Sequence, residues 1–495
     1  MQIKIFFLAA IFFLASCTGS KTDNKQEPVV KCEVNHPEWS KSSVIYEANI
    51  RQHTPEGTFT AFTKELPKIK ELGVDIVWLM PVFPIGELHR KATQMTLAGE
   101  LDDPKEQEKY LGSYYAIKDY MDVNSEFGSV EDFQALVGKA HELGMKVILD
   151  IAVNHTAWDH PWIKEKPDFY TKVNADSIPW KQEWMDAHPE YFKHLKELGM
   201  TYPIDPNETD WWDTADLNYD NDELREEMKK IFKYWITEFD IDGYRCDVAE
   251  WVPADFWDDL RPELDEIKPV FMLAEAEFPN HLNKAFDMNY GWEFHHIMNQ
   301  VAKGEKNVQA LMEYFAKNDS IYDKACYRMN FITNHDENSW NGTVFERLGD
   351  GVKTFGVLYY TVPGMPLIYS GQEYGMSKRL KFFEKDTIDL NDKGFYDFYL
   401  ALGKLKKENT LFWNGNAGGD METLCVKNKK VFAFKRFTDE ADAFVILNLS
   451  GEEQEYTVPS GIAGAYTNYF KQESVVMNEE EVKTIDPWEY LILIE

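Results

Sequence analysis

The stretch Ile241-Asp-Gly-Tyr-Arg-Cys-Asp-Val-Ala-Glu250 decides the fold. It follows a helical pattern with Leu224, Met228, Ile231, Trp235 and Phe239 on one face, and it reads as a short strand ending at a carboxylate. Side chains alternate faces along a strand, so Arg245 and Asp247 share a face with Gly243. Tyr244 and Cys246 take the other face and suit a covering layer. A cation two residues before an aspartate favours the ionised carboxylate. Such a carboxylate at a strand end can act as a nucleophile or form a structural ion pair.

Outward from this stretch, strand-like and helix-like segments alternate. Residues 44–49, 75–80, 146–151, 241–247, 270–274, 285–288, 329–333 and 366–369 read as strands. Phe59, Phe62, Leu66, Ile69 and Leu72 recur at helical spacing before Gly73. Ser129 caps a helix with Val130, Phe133, Val137, Ala140 and Leu143 on its inner face. Eight strands alternating with helices predict an α/β fold, a (β/α)8 TIM barrel. The competing arrangement is an open doubly wound sheet, but no Gly-rich phosphate loop follows the first strand. Residues 86–112 read as an irregular rim loop. After about Asn409 short alternating strands (431–437, 443–449, 490–494) predict a C-terminal antiparallel β-sandwich domain. The expected division is a barrel over 43–155 and 211–408, an insertion (domain B) over 156–210 after the third strand, and a β domain over 409–495.

The chain has 495 residues, enough for a large core and more than one domain. Its formal charge of −33 argues against nucleic acid and anionic membrane surfaces as partners. Lys4 precedes the apolar run Ile5–Ala15, too short to span a bilayer. That run ends in Leu14-Ala15-Ser16-Cys17, which resembles the lipobox of bacterial lipoproteins. Residues 1–17 are therefore expected to be a signal peptide, with lipidation at Cys17 and a polar tether over 18–42. That implies a membrane-anchored protein facing the periplasm or the cell exterior. The remaining cysteines, Cys32, Cys246, Cys326 and Cys425, are scattered and indicate neither a disulfide framework nor a zinc site.

Barrel enzymes carry their chemistry at the C-terminal ends of the strands. Polar residues gather there: Asp150, Asn154 and His155 after the third strand, Arg245 and Asp247 on the fourth, Glu275 and Glu277 after the fifth, and Asn334, His335 and Asp336 after the seventh. These motifs, in this order, together with Gly112-Ser-Tyr-Tyr115 and Gly364 to Glu373, resemble the α-amylase family of glycoside hydrolases over about residues 44–407. The resemblance implies Asp247 as nucleophile, Glu275 as acid/base and Asp336 as transition-state stabiliser. Tyr115, His155, Arg245, His335 and Asp150 would bind the attacked sugar. Chemistry agrees on residue types: retention needs one ionised carboxylate and one protonated carboxyl. Glu275 leaves the apolar strand Val270–Ala274, which suits a raised pKa; Glu277, two residues on, is the competing choice.

In many members of the family Asn154 matches a structural calcium ligand, and Asp216 resembles another. Hydrogen bonding within the loop is the alternative for both, because calcium wants six to eight oxygens. No organic cofactor is expected. Where starch-cleaving members often carry Lys-His after the nucleophile, this chain has Val248-Ala-Glu250-Trp251. Trp251 offers a ring face to a leaving-side sugar, or else packs under a rim loop. The expected function is retaining hydrolysis of α-glucosidic bonds, mainly α-1,4, in starch, maltooligosaccharides or cyclodextrins. Transglycosylation, α-1,6 cleavage and a catalytically silent sugar binder are the alternatives.

Overall fold

The computed structural model describes residues 29–94, 96–171 and 211–494. Cys17 and residues 172–210, most of the expected insertion, lie outside them. Eight parallel strands close into a barrel: β1 (Ile45–Ala48), β2 (Ile76–Leu79), β3 (Lys146–Ala152), β4 (Gly243–Asp247), β5 (Phe271–Ala274), β6 (Met288–Tyr290), β7 (Tyr327–Asn330) and β8 (Met365–Tyr369). β1 pairs with both β2 and β8, which closes the ring. The sixth and seventh strands differ from the residues expected. Parallel pairing of Met288 with Leu273 and Tyr327 sets the register, while Ala285 and Phe286 are buried outside the sheet.

The barrel interior is apolar at its base, filled by Ile45, Ile76, Ile148, Phe271, Met288, Tyr327 and Leu367 among others. Higher up, the inward positions become polar. On β4 the alternation holds: Tyr244 faces outward and its hydroxyl donates to the Phe232 carbonyl on the helix Asp222–Phe239. Gly243 is required where it stands, because a Cβ there would meet the Phe271 carbonyl oxygen at 1.9 Å. The helix Val130–Glu142 starts at a capping box formed by Ser129 and Asp132, and it buries Phe133, Leu136, Val137 and Ala140. The helix expected across residues 59–72 is instead two short ones, Phe59–Thr63 and Leu66–Glu71, with Pro67 in the first turn of the second. The rim loop over 86–112 is more ordered than expected, with a small hairpin pairing Lys91–Thr93 with Thr96–Leu97.

Part of the expected tether is built into the barrel floor. Val30 pairs beside Tyr322, and Cys32 forms a disulfide with Cys326, just before β7. His36 lies 2.8 Å from Asp287 and stacks on Tyr327 at 4.2 Å. Trp39 packs under the interior against Phe271. The absence of a disulfide expected from spacing is thereby corrected: 294 residues separate the two cysteines, and only the closed barrel brings them together.

The C-terminal domain has a six-stranded antiparallel sheet, ordered Asp420–Leu424, Val431–Phe437, Asp442–Asn448, Tyr490–Ile494, Gly464–Asn468, Glu473–Met477. A second pair, Gln454–Thr457 with Val482–Ile485, covers one face over Phe444, Ile446, Tyr456 and Ile462. The other face, through Phe432, Phe434, Val445 and Ile492, joins the core of the barrel helices.

Candidate active site

A cleft opens at the C-terminal ends of the strands. Its lining includes Tyr115, His155, Asp247, Glu275, His335 and Asp336, with Trp340 and Phe382 on one wall and Trp211 on another. Six side chains named from the sequence thus converge on one depression.

Arg245 organises its base. Its guanidinium is fully buried. Nη1 donates to Asp247 Oδ1 at 2.7 Å and to Asp150 Oδ1 at 2.9 Å. Nη2 lies 2.8 Å from Glu275 Oε2, an ion pair whose geometry falls short of a hydrogen bond. One cation therefore neutralises part of three carboxylates. Two residues expected to touch sugar are corrected here. Asp150 is fully buried beneath the cleft, accepting from Arg245, Trp78 Nε1 at 3.1 Å and the Tyr115 hydroxyl at 3.1 Å. Arg245 is likewise covered and reaches substrate only through its carboxylates.

Burial dominates the ionisation of the pair. It raises the Asp247 carboxyl to about 6, opposed by Arg245 and reinforced by the Asp150 charge. It raises Glu275 to about 7, opposed by Arg245 and reinforced by Asp247. Arg245 thus moderates the shift rather than holding Asp247 at its ordinary value. The two groups titrate as a pair. Below the lower step Asp247 takes up a proton and loses nucleophilicity; above the upper step Glu275 loses the proton it must donate. The expected kcat/KM profile is a narrow bell between about 6 and about 7. A plateau extending past pH ~9 would remove Glu275 as the acid.

The turn after β4 is strained. Val248 adopts φ 38° and ψ 43°, a left-handed conformation that β-branched residues avoid. Such strain costs on the order of 1–3 kcal/mol. It aims the Val248 N–H at Glu275 Oε2, 2.9 Å away. Glu277, the competing acid, accepts from the Glu293 N–H at 2.8 Å and pairs with Arg328, away from the cleft.

The aromatic and imidazole walls are cross-braced. Tyr115 stacks on His335 and Phe382. Trp340 donates to Asp336 Oδ1 at 3.2 Å. His155 is buried between the Asn154 side chain and the Tyr115 carbonyl, and burial lowers its pKa to about 4. Trp251 is 43% exposed and tilts against Trp211, ring centroids 5.2 Å apart. Trp78, Trp211, Trp340 and Glu47 were not singled out in the sequence. Trp340 was within reach, since it follows Asp336 by four residues, one helical turn. Glu47 was too, as a carboxylate inside an apolar strand.

The two expected calcium ligands, Asn154 and Asp216, lie side by side at the base of the insertion. The Asn154 carbonyl is turned to His155 Nδ1 at 2.5 Å, and Asp216 sits in a short strand opposite His155. Among the described residues no group of three or more His, Cys, Asp or Glu side chains is placed to hold a metal ion. No step is assigned to one.

Comparison with known proteins gives the family. The sequence profile described as alpha amylase, catalytic domain, matches residues 20–419. Alpha-amylase 3 of Dictyoglomus thermophilum is 27% identical over 475 residues, covering 85% of this chain and 87% of its own. A 4-alpha-glucanotransferase of Thermotoga neapolitana is 28% identical, covering 81% of this chain and 93% of its own. Among solved structures, an alpha-amylase from Lactobacillus plantarum superposes with a TM-score of 0.76 at 27% identity, over 92% of this chain and 99% of the other. A maltogenic alpha-amylase from Thermotoga neapolitana gives 0.75 at 26%, over 92% and 98%. A closed barrel with acidic residues at its strand ends and a profile match over most of the sequence lead to one assignment: the chain belongs to the α-amylase family of glycoside hydrolases.

Proposed function

We propose that the protein hydrolyses α-glucosidic bonds, mainly α-1,4, in starch-derived oligosaccharides with retention of configuration. The observation that carries this is the pairing of Asp247 and Glu275. Both lie on one guanidinium, Asp247 Oδ1 2.7 Å from Arg245 Nη1 and Glu275 Oε2 2.8 Å from Nη2. Two carboxyls held by the two nitrogens of one guanidinium suit the short separation that double displacement uses. Asp247 attacks the anomeric carbon while Glu275 gives its proton to the departing glycosidic oxygen. Glu275, now a carboxylate, takes a proton from water; the water oxygen displaces Asp247 from the sugar, freeing the product in its original configuration. Asp336 strengthens its hold on ring hydroxyls as positive charge develops. Purified protein incubated with starch, pullulan, cyclodextrin and maltoheptaose, with products followed by NMR, tests this reading. The α-anomer is expected first; β-anomer first would sink retention, and dominant longer products would favour transfer to sugar acceptors.

The tilted pair Trp211–Trp251 supports a leaving-side sugar platform. Trp251→Ala is expected to weaken cleavage of longer oligosaccharides more than of short activated glucosides. A stacking contact is worth about 1 kcal/mol or somewhat more, so the ratio of specificity constants should move roughly tenfold. Equal loss on both substrates with a lower unfolding temperature would return Trp251 to a packing role. The same proposal includes a lipid anchor at Cys17, supported by the preceding apolar run and by a disulfide that suits an oxidising compartment. Cys17→Ala should free the protein from salt-washed membranes; retention there would refute the anchor.

A further inference from the structure

On the inner face of β1 a carboxylate lies under the cleft. Glu47 is fully buried, its Oε1 is 2.5 Å from His335 Nδ1, and its Oε2 has no hydrogen-bond partner among the described residues. The other imidazole nitrogen, Nε2, is 2.7 Å from the Tyr115 oxygen and 3.3 Å from Asp336 Oδ2. The Tyr115 oxygen is in turn 3.1 Å from Asp150 Oδ2.

The directions of donation constrain the state of the ring. Asp150 already accepts from Arg245 and Trp78, so it is an acceptor toward Tyr115 as well. Tyr115 has one hydroxyl hydrogen, and it goes to Asp150. Its oxygen then accepts from His335 Nε2–H. Nδ1 faces Glu47 Oε1, and opposite an ionised Glu47 it donates too. Both ring nitrogens donate only in the imidazolium.

We infer that Glu47 is a positioning residue that keeps His335 an imidazolium and, through it, holds Tyr115 and Asp336 against the sugar. This rests on the α-glucan reading of the cleft. The charged and titratable groups facing His335 come from every side: Glu47 on β1, Asp150 on β3, Arg245 on β4, Asp336 on its own loop and Tyr115 from the rim. Burial opposes a charge on the ring, but Asp336 and Glu47 outweigh it and lift its pKa to about 9, with Arg245 working against them. Burial also raises Glu47, and the His335 charge pulls it back. The two groups ionise together or not at all. Glutamine at position 47 keeps an acceptor for Nδ1–H and removes the charge, so it separates shape from electrostatics.

The direct test is an NMR titration of the full chain with 15N-labelled histidine, the His335 signal being identified by its loss in His335→Asn. A midpoint near 9 is expected for the natural protein, and one below about 7 for Glu47→Gln. A natural midpoint at or below the ordinary 6.5, or an unchanged one in Glu47→Gln, overturns the proposal. Should Glu47→Gln fail to fold, the natural midpoint and that of Glu47→Asp decide. The functional test uses α-maltosyl fluoride, whose fluoride leaves without a proton from Glu275. Its kcat/KM should stay level to pH ~8.5 in the natural protein and fall about tenfold between pH ~6 and ~8 in Glu47→Gln, following the ring's charge. Parallel profiles overturn the role assigned to the charge. A natural protein inactive on every α-glucan but showing the expected midpoints upholds the Glu47–His335 pairing and overturns the α-glucan reading instead.

Discussion

Asp247→Asn protein will fold, bind maltooligosaccharide and fail to turn it over. The asparagine carbonyl keeps the acceptor that Arg245 Nη1 now finds at 2.7 Å, so the buried guanidinium stays satisfied on that side. The amide cannot form the covalent bond to the anomeric carbon, so the step that splits one difficult displacement into two is lost. The expected fall in kcat is several powers of ten, with the unfolding midpoint little changed. Steady-state rates on maltoheptaose beside a thermal melt check both halves. A near-normal rate on every good substrate would remove Asp247 from the mechanism.

The second large effect is on the fold. Arg245→Leu should destabilise the protein by roughly 3–5 kcal/mol, the range for breaking a buried ion pair from one side. The arginine is the shared partner of Asp150, Asp247 and Glu275. Without it their folded-state pKa values rise further above the unfolded ones. The folded state then binds more protons than the unfolded one, so stability falls as pH rises through that interval. The deficit in urea midpoint should therefore be larger at pH ~8 than at pH ~5. An unchanged midpoint at both would show that the carboxylates do not depend on Arg245.

Much of this site was legible in the chain because its residues sit at strand ends, where apolar runs stop and charges begin. The alternation along β4 alone puts Arg245 and Asp247 on one face. Asp150 was misjudged for a physical reason: alternation tells which face a side chain takes, but not how deep in the barrel it lies. Glu47 stood out as a carboxylate in an apolar strand, but no local pattern links it to His335, 288 residues away. The Val248 strain could not be read either, since a valine gives no sign that it holds a left-handed turn. Sixth and seventh strand limits moved because short buried strands draw their register from neighbours, not from their own composition.

The sealed floor of the barrel has a consequence for how the molecule sits in its surroundings. The disulfide from Cys32 and the pairing at Val30 join the leading segment to the side of the barrel opposite the cleft. Residue 29, the first one described, thus lies near that underside. An anchor at Cys17 would join the described chain from the side opposite the mouth of the cleft. A polymer could then drift in from the medium without first threading between the enzyme and the surface that holds it.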